Sequence, residues 1–212
     1  MRRSWSVLAG LLLAFNLLPV TGSAEPPLRA VNIAMEDQFK TRHETGAMRG
    51  DVVVLVYAER KGGEAAHEVG RRLHVHYHPT AEQVPASEWS RQPVVGIPGM
   101  PPGVRPPDVR CIAVASLPEI PKALQPVARA QLRKESPHVP VWLDFDGRLE
   151  HLFGVATGKP NVVLINTVGE VHSVLSGTVD ATRFREIVAT IDGLRIQQAP
   201  ALRTASTPAL VR

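Results

Sequence analysis

Residues 158–171 read GKPNVVLINTVGEV, and this stretch decides the fold. Pro160 stands just ahead of an unbroken apolar run over residues 162–165. Thr167, Val168 and Gly169 then supply a turn, and residues 171–174 return as a second strand. Proline has no N–H to give to a ladder, so it belongs at the first residue of a strand, where its peptide bond can be held in cis. The spacing predicts a tight antiparallel hairpin with a proline at its mouth.

Working outward, residues 52–57 (VVVLVY) follow Arg49-Gly50-Asp51 and predict a central strand covered on both faces. Ala65, Ala66, Val69 and Leu73 then share one helical face, with Glu64, Glu68, Arg71 and Arg72 on the other. A strand is predicted over residues 109–115. The helix after it is read with Leu124, Val127, Ala128 and Leu132 inward and Arg129, Arg133 and Lys134 outward, beginning or kinking at Pro126. Residues 139–143 form another strand, closing on Asp144-Phe145-Asp146-Gly147, where the two aspartates shape the turn. A short helix through Leu149, Leu152 and Phe153 ends at Gly154. The last helix is capped by Asp180, lined by Phe184, Ile187, Val188, Ile191 and Leu194, and carries Gly193 near its end. Weak alternation over residues 31–45 predicts a short hairpin ahead of the domain. Strands alternating with helices imply a parallel core, and the closing hairpin adds an antiparallel pair, so the class is α/β with a mixed sheet.

Three segments stand apart. Residues 1–24 have a basic start, an apolar run and a small-residue end at Gly22-Ser23-Ala24, the order of a secretory signal peptide. The run is too short, and too interrupted by Asn16 and Pro19, for a membrane span. Residues 79–108 hold eight of the 19 prolines, which predicts an extended insertion laid over the surface, with Trp89, Val94, Val95, Ile97 and Met100 as apolar feet. Residues 195–212 lose periodicity and are read as a disordered tail, leaving 25–194 as one domain. Of 24 basic residues, Arg2 and Arg3 leave with the signal, and the remaining excess over 20 acidic residues is too small to call for nucleic acid.

Element order, the proline before the hairpin strand and the export signal together resemble an exported member of the thioredoxin-like superfamily, in the manner of peroxiredoxin-related and cytochrome-maturation-type thiol proteins. The resemblance covers residues 31–194 and implies a three-layer α/β/α sandwich. It also implies two cysteines, two residues apart, where the first core strand turns into its helix. Aligned on that pattern, VVLVYAERKGGE puts Lys61 and Glu64 at the cysteine positions. Neither side chain can exchange disulfides, and a peroxidatic cysteine is missing from the same region. The resemblance would gather Arg60, Lys61, Glu64, Lys159, Pro160 and Asn161 into a degenerate site, where cations and the N–H groups of a helix start suit an anion or carboxylate. Solvated surface charges are the simpler reading of those residues.

Two further features bear on chemistry. His74, His76 and His78 (HVHYH) would share a face in an extended segment and could converge on copper or zinc, although a solvated or partly buried strand end is the simpler account of them. Cys111 is the only cysteine, so no internal disulfide can form, and its apolar surroundings mark it as a small core residue. No nucleophile elbow or phosphate-binding glycine loop is present. The sequence thus predicts an exported, redox-inactive module that needs no cofactor and binds a protein partner of the cell envelope. That partner would dock near Pro160 and the proline-rich loop. A single-cysteine thiol protein and a histidine metal carrier are the alternatives.

Overall fold

The computed structural model describes residues 30–101 and 103–205, with side chains described as far as Gln197. The expected signal peptide and residues 206–212 lie outside the described residues. A small antiparallel hairpin, β1 (Ala34–Glu36) and β2 (Arg42–Glu44), precedes the main sheet as the alternation predicts. The sheet is five-stranded, in the order β5–β4–β3–β6–β7. Its parallel part is β3 (Val52–Ala58), β4 (Val109–Ser116) and β5 (Val141–Asp144). Its antiparallel part is β6 (Asn161–Ile165) and β7 (Val171–Ser176). Four helices complete the fold: α1 (Gly63–Tyr77), α2 (Gln125–Glu135), α3 (Arg148–Phe153) and α4 (Ala181–Ala205).

The central strand explains the layering. Every residue of β3 is buried, and because side chains alternate along a strand, β3 feeds two cores. Val52, Val54, Val56 and Ala58 pack against Ala66, Val69, Leu73 and Tyr77 of α1 and Ile187, Ile191 and Leu194 of α4. Val53, Leu55 and Tyr57 pack on the other face against Ile33 and Met35 of the hairpin, Trp142, Leu149 of α3 and Val155. Each such buried aliphatic side chain contributes about 1.5–3 kcal/mol of transfer free energy, so these two strips hold the sheet between its outer layers.

The decisive hairpin forms as its sequence predicts. Asn166 closes the turn, its Oδ1 accepting from Val168 N at 3.1 Å and Glu170 N at 2.8 Å. Gly169 takes φ 89°, which favours glycine. Pro160 is buried at the strand start, but the cis bond is not found: among the described residues every peptide bond is trans.

Other expectations are corrected. HVHYH is not extended but forms the last turn of α1, whose apolar face continues through Leu73 to Tyr77. Helix α2 begins at Gln125 with Pro126 in its first turn, and its inward face is only partly the predicted one: Ala128 and Leu132 are half-buried and Arg133 and Lys134 exposed. Leu124 and Val127 are exposed, while the Arg129 side chain is 11% exposed and donates to the carbonyl oxygen of Asp37. Arg133, though exposed, reaches Gln38 O at 2.8 Å, so the carbonyls of the β1–β2 connection draw Arg129 inward and anchor Arg133. The order expected to end at Leu194 does not end there. α4 continues to Ala205 because Arg195, itself buried, donates to Pro107 O at 2.9 Å and Val95 O at 2.6 Å.

Segment 79–108 lies on the fold in two 3-10 turns, Pro79–Gln83 and Ala86–Arg91, followed by irregular chain. Val94 and Val95 are its feet on the α1–α4 core, and Val95 N donates to Tyr77 O at 2.8 Å. Among the described residues no helix is long and apolar enough to cross a membrane.

Candidate functional site

After β3, Glu59 leads into a 3-10 turn, Arg60–Gly62, and α1 starts at Gly63 with no side-chain cap. The N–H groups of that first turn therefore have no side chain of their own to satisfy them. The turn lies directly on the loop before the decisive hairpin. A Cβ at Gly62 would fall 2.9 Å from the carbonyl carbon of Lys159 and 3.2 Å from Pro160 N, so only glycine fits this approach. Glu59 fastens the seam, accepting from Gly158 N at 3.2 Å.

The six candidate residues divide here. Arg60, Lys61, Glu64 and Lys159 are exposed around the seam, whereas Pro160 and Asn161 are buried. Asn161 is a fastener. Its Nδ2 donates to Ala156 O at 2.9 Å and Lys159 O at 3.0 Å, and its Oδ1 accepts from Ala156 N at 3.0 Å and from the Ser176 hydroxyl. That leaves it nothing to offer a ligand. Glu59 and Gly158 were not singled out by the sequence, and no local pattern marks them. Asp144 and Asp146, expected to shape the turn, divide: Asp144 accepts from Arg148 N and Leu149 N and so caps α3, while Asp146 is exposed.

A central parallel strand turns into a helix whose start rests on the peptide before a hairpin proline, and the next strand beyond β3 is antiparallel. The fold is thioredoxin-like. No protein-family model matches the chain, and no curated protein matches it. Among solved structures the chain is similar to StoA from Bacillus subtilis, at 13% identity and TM-score 0.46, over 76% of this chain and 99% of that one. It is similar to a peroxiredoxin-like protein from Aquifex aeolicus at 15% identity and TM-score 0.44, over 78% of this chain and 85% of that one. It is also similar to the exposed lipoprotein thioredoxin of Streptococcus pneumoniae at 14% identity and TM-score 0.44, over 77% of this chain and all of that one (100%).

With one cysteine in the chain, this thioredoxin-like fold holds no dithiol. Cys111 lies on β4 opposite Val54, partly buried against the α1–α4 core. Burial pushes its thiol up to about 12, and the Asp108 carboxylate adds to the effect. Such a thiol is almost wholly protonated at neutral pH, and the protonated form is a poor nucleophile.

The histidines sit at the far end of the sheet. His76 is exposed, edge-on to Phe184, and faces away from the other two. His74 and His78 are one helical turn apart and stack at 4.5 Å between ring centroids, and His74 also stacks on Trp89 at 5.3 Å. His78 Nε2 lies 2.8 Å from Asp108 Oδ1. Among the described residues no three His, Cys, Asp or Glu side chains converge as a metal site. Arg195 could have been anticipated, since Ile187, Ile191 and Arg195 fall at i, i+4 and i+8 on one face of α4.

A separate concavity of about 310 Å³ lies between the β1–β2 hairpin, the start of α2 and the β5–α3 turn. Its walls alternate Arg42, Arg129 and Arg148 with Glu36, Asp144 and Asp146, and none of the seam residues lines it.

Proposed function

We propose that this chain is an exported, redox-inactive binding module whose contact surface is the seam between the 60–64 turn and the Lys159-Pro160 loop. The observation that carries this reading is the Gly62 backbone seated on the Lys159–Pro160 peptide; the resemblance puts Lys61 and Glu64 where a thiol pair would stand. We read that seam as a degenerate disulfide-handling site, and what it offers outward is Arg60, Lys61 and Lys159 beside an uncapped helix start. That surface suits a carboxylate-bearing protein segment.

We take the seam alone as the partner surface. The proline-rich segment ends at Asp108, whose carbonyl accepts from Val52 N at the amino end of β3, while the seam follows Ala58 at its carboxyl end. About 20 Å of strand separates them, so a partner seated at Pro160 does not also meet that segment by the shortest route.

Insulin-disulfide reduction and peroxidase assays test the redox half of the proposal. Turnover that survives Cys111→Ser would sink it. Capture from the cell envelope with the parent chain and with Lys61→Glu/Lys159→Glu tests the binding half, because a partner held at the seam must be lost from the variant.

A further inference from the structure

We propose that His74, His78, Trp89 and Asp108 form an acid-sensitive latch that holds the proline-rich segment 79–108 on the fold. The latch lies at the amino end of β3 and rests on its own geometry, independent of any partner at the seam.

The hydrogen bonds fix the His78 ring. His78 is buried, with Nδ1 3.1 Å from His74 O and Nε2 2.8 Å from Asp108 Oδ1. A carbonyl only accepts, so Nδ1 carries a hydrogen. The Asp108 carboxylate accepts from Val109 N at 2.7 Å and lies 3.1 Å from the Arg110 guanidinium, a setting that holds it ionised. An ionised carboxylate also only accepts, so the His78 ring is clamped between two acceptors at the residue that follows α1.

His74 is placed where a proton is disfavoured. It stacks on the His78 ring, and its own Nε2 is buried with no hydrogen-bond partner. A proton there would be buried without an acceptor. The groups around it offset this only in part, Asp108 and the Trp89 backbone favouring the charged ring. From α1 the neighbour is His78, and from the segment come Trp89 and Asp108. Asp108 is already engaged by Arg110 and lies 3.9 Å from Arg105, and Asp51 takes Arg110 at 3.0 Å. From α4, Asp192 and Arg195 address Tyr77. Burial and the neighbouring His78 accordingly hold the His74 pKa down to about 4, against an ordinary 6.5.

The direction follows from linkage. The open form takes up a proton between about pH 6.5 and about pH 4 that the latched form refuses. The latch is complete above that window and weakens as pH falls through it. Allowing for partial solvent access to the ring, the open population rises about ten- to a hundredfold across the window. Opening lifts Val94 and Val95 from the α1–α4 core and uncovers the apolar strip beneath them.

Amide hydrogen exchange on the full chain, corrected for intrinsic rates and compared between about pH 7 and about pH 4.5, tests the latch. Residues 80–107 should exchange at least about tenfold faster at the lower pH while β3 and β6 stay protected. His74→Phe, which keeps a stacking ring without a titrating nitrogen, should remove the effect. Equal protection at both pH values, loss of β3 protection in step with the segment, or an unchanged effect in His74→Phe would each overturn the proposal. Should that variant not fold, the ring titration of His74 in the parent chain decides. A midpoint well below that of free histidine supports the latch, and one at the free value refutes it.

Discussion

Gly62 approaches Lys159 so closely that a Cβ on the glycine would stand 2.9 Å from the lysine carbonyl carbon. The obstructing atoms are backbone and belong to the peptide that enters Pro160, which is itself buried and followed by the fastened Asn161. Neither side can yield cheaply. Gly62→Ala should therefore cost about 1–3 kcal/mol, as overpacking does elsewhere. Gly63 is the internal control: it has helical angles (φ −60°, ψ −45°) and nothing within 4 Å of its would-be Cβ. Gly63→Ala should stabilise by about 0.4–1 kcal/mol through the unfolded chain. Urea unfolding of both variants checks the pair.

Arg195 ties α4 to the proline-rich segment through two carbonyls, and its guanidinium lies 5.4 Å from the Tyr77 ring centroid. Arg195→Met keeps much of the apolar stem but leaves Pro107 O and Val95 O without their donor. The expected loss is about 2–4 kcal/mol, with Arg195→Lys recovering only part because one ammonium does not reproduce the guanidinium fork. Truncation after Leu194 should do the same damage. Denaturant midpoints, together with tryptic cleavage after Arg91, measure both effects.

These two sites also show what the sequence could reveal. β3, α1 and the β6–β7 hairpin were legible because burial on both faces, or on one helical stripe, imposes a pattern on consecutive residues. The reading failed where a backbone carbonyl elsewhere chose the partner. Arg129 turns inward on α2, and Arg133 reaches back to the hairpin, because Asp37 and Gln38 present oxygens to them, and no periodicity within residues 124–135 records that. HVHYH was misread although its signal was present: Ala66, Val69, Leu73 and Tyr77 continue one helical face straight through it. The seam itself was legible only in part. Pro160 and the Lys61–Glu64 turn carry the pattern, but Glu59 and Gly158 meet across 99 residues of chain.

Cys111 should behave as a core residue in solution. Its thiol is pushed from the ordinary 9.0 to about 12, so the folded chain keeps a proton that the unfolded chain gives up. This contributes stability that is complete below about pH 9 and is lost as pH rises towards about 12. Labelling by a disulfide reagent near neutral pH should run at least about a hundredfold slower in the native chain than in urea. Labelling of the native chain at the unfolded rate would show that the β4 edge of the core opens readily.

Restoring the thiols gives the sharpest check on the seam. In a Cys111→Ser background, Lys61→Cys/Glu64→Cys places one thiol just before α1 and the other in its first turn, facing the Lys159-Pro160 loop. A thiolate at the first position is favoured by the helix start, which lowers a cysteine pKa towards or below about 7 in such settings. That thiolate can attack a substrate disulfide, forming one S–S bond and releasing one thiolate. The second cysteine then displaces the other substrate sulfur and closes the intrachain disulfide, which an added dithiol reductant reopens. The double variant should therefore form an intrachain disulfide on mild oxidation and reduce insulin above the parent's background, while Lys61→Cys alone should stop at a mixed disulfide. Mass analysis of the oxidised chain and the insulin turbidity assay measure the two outcomes. A double variant that folds but cannot close its disulfide would mean that the turn at 61–64 does not hold the geometry on which the degenerate-site reading depends.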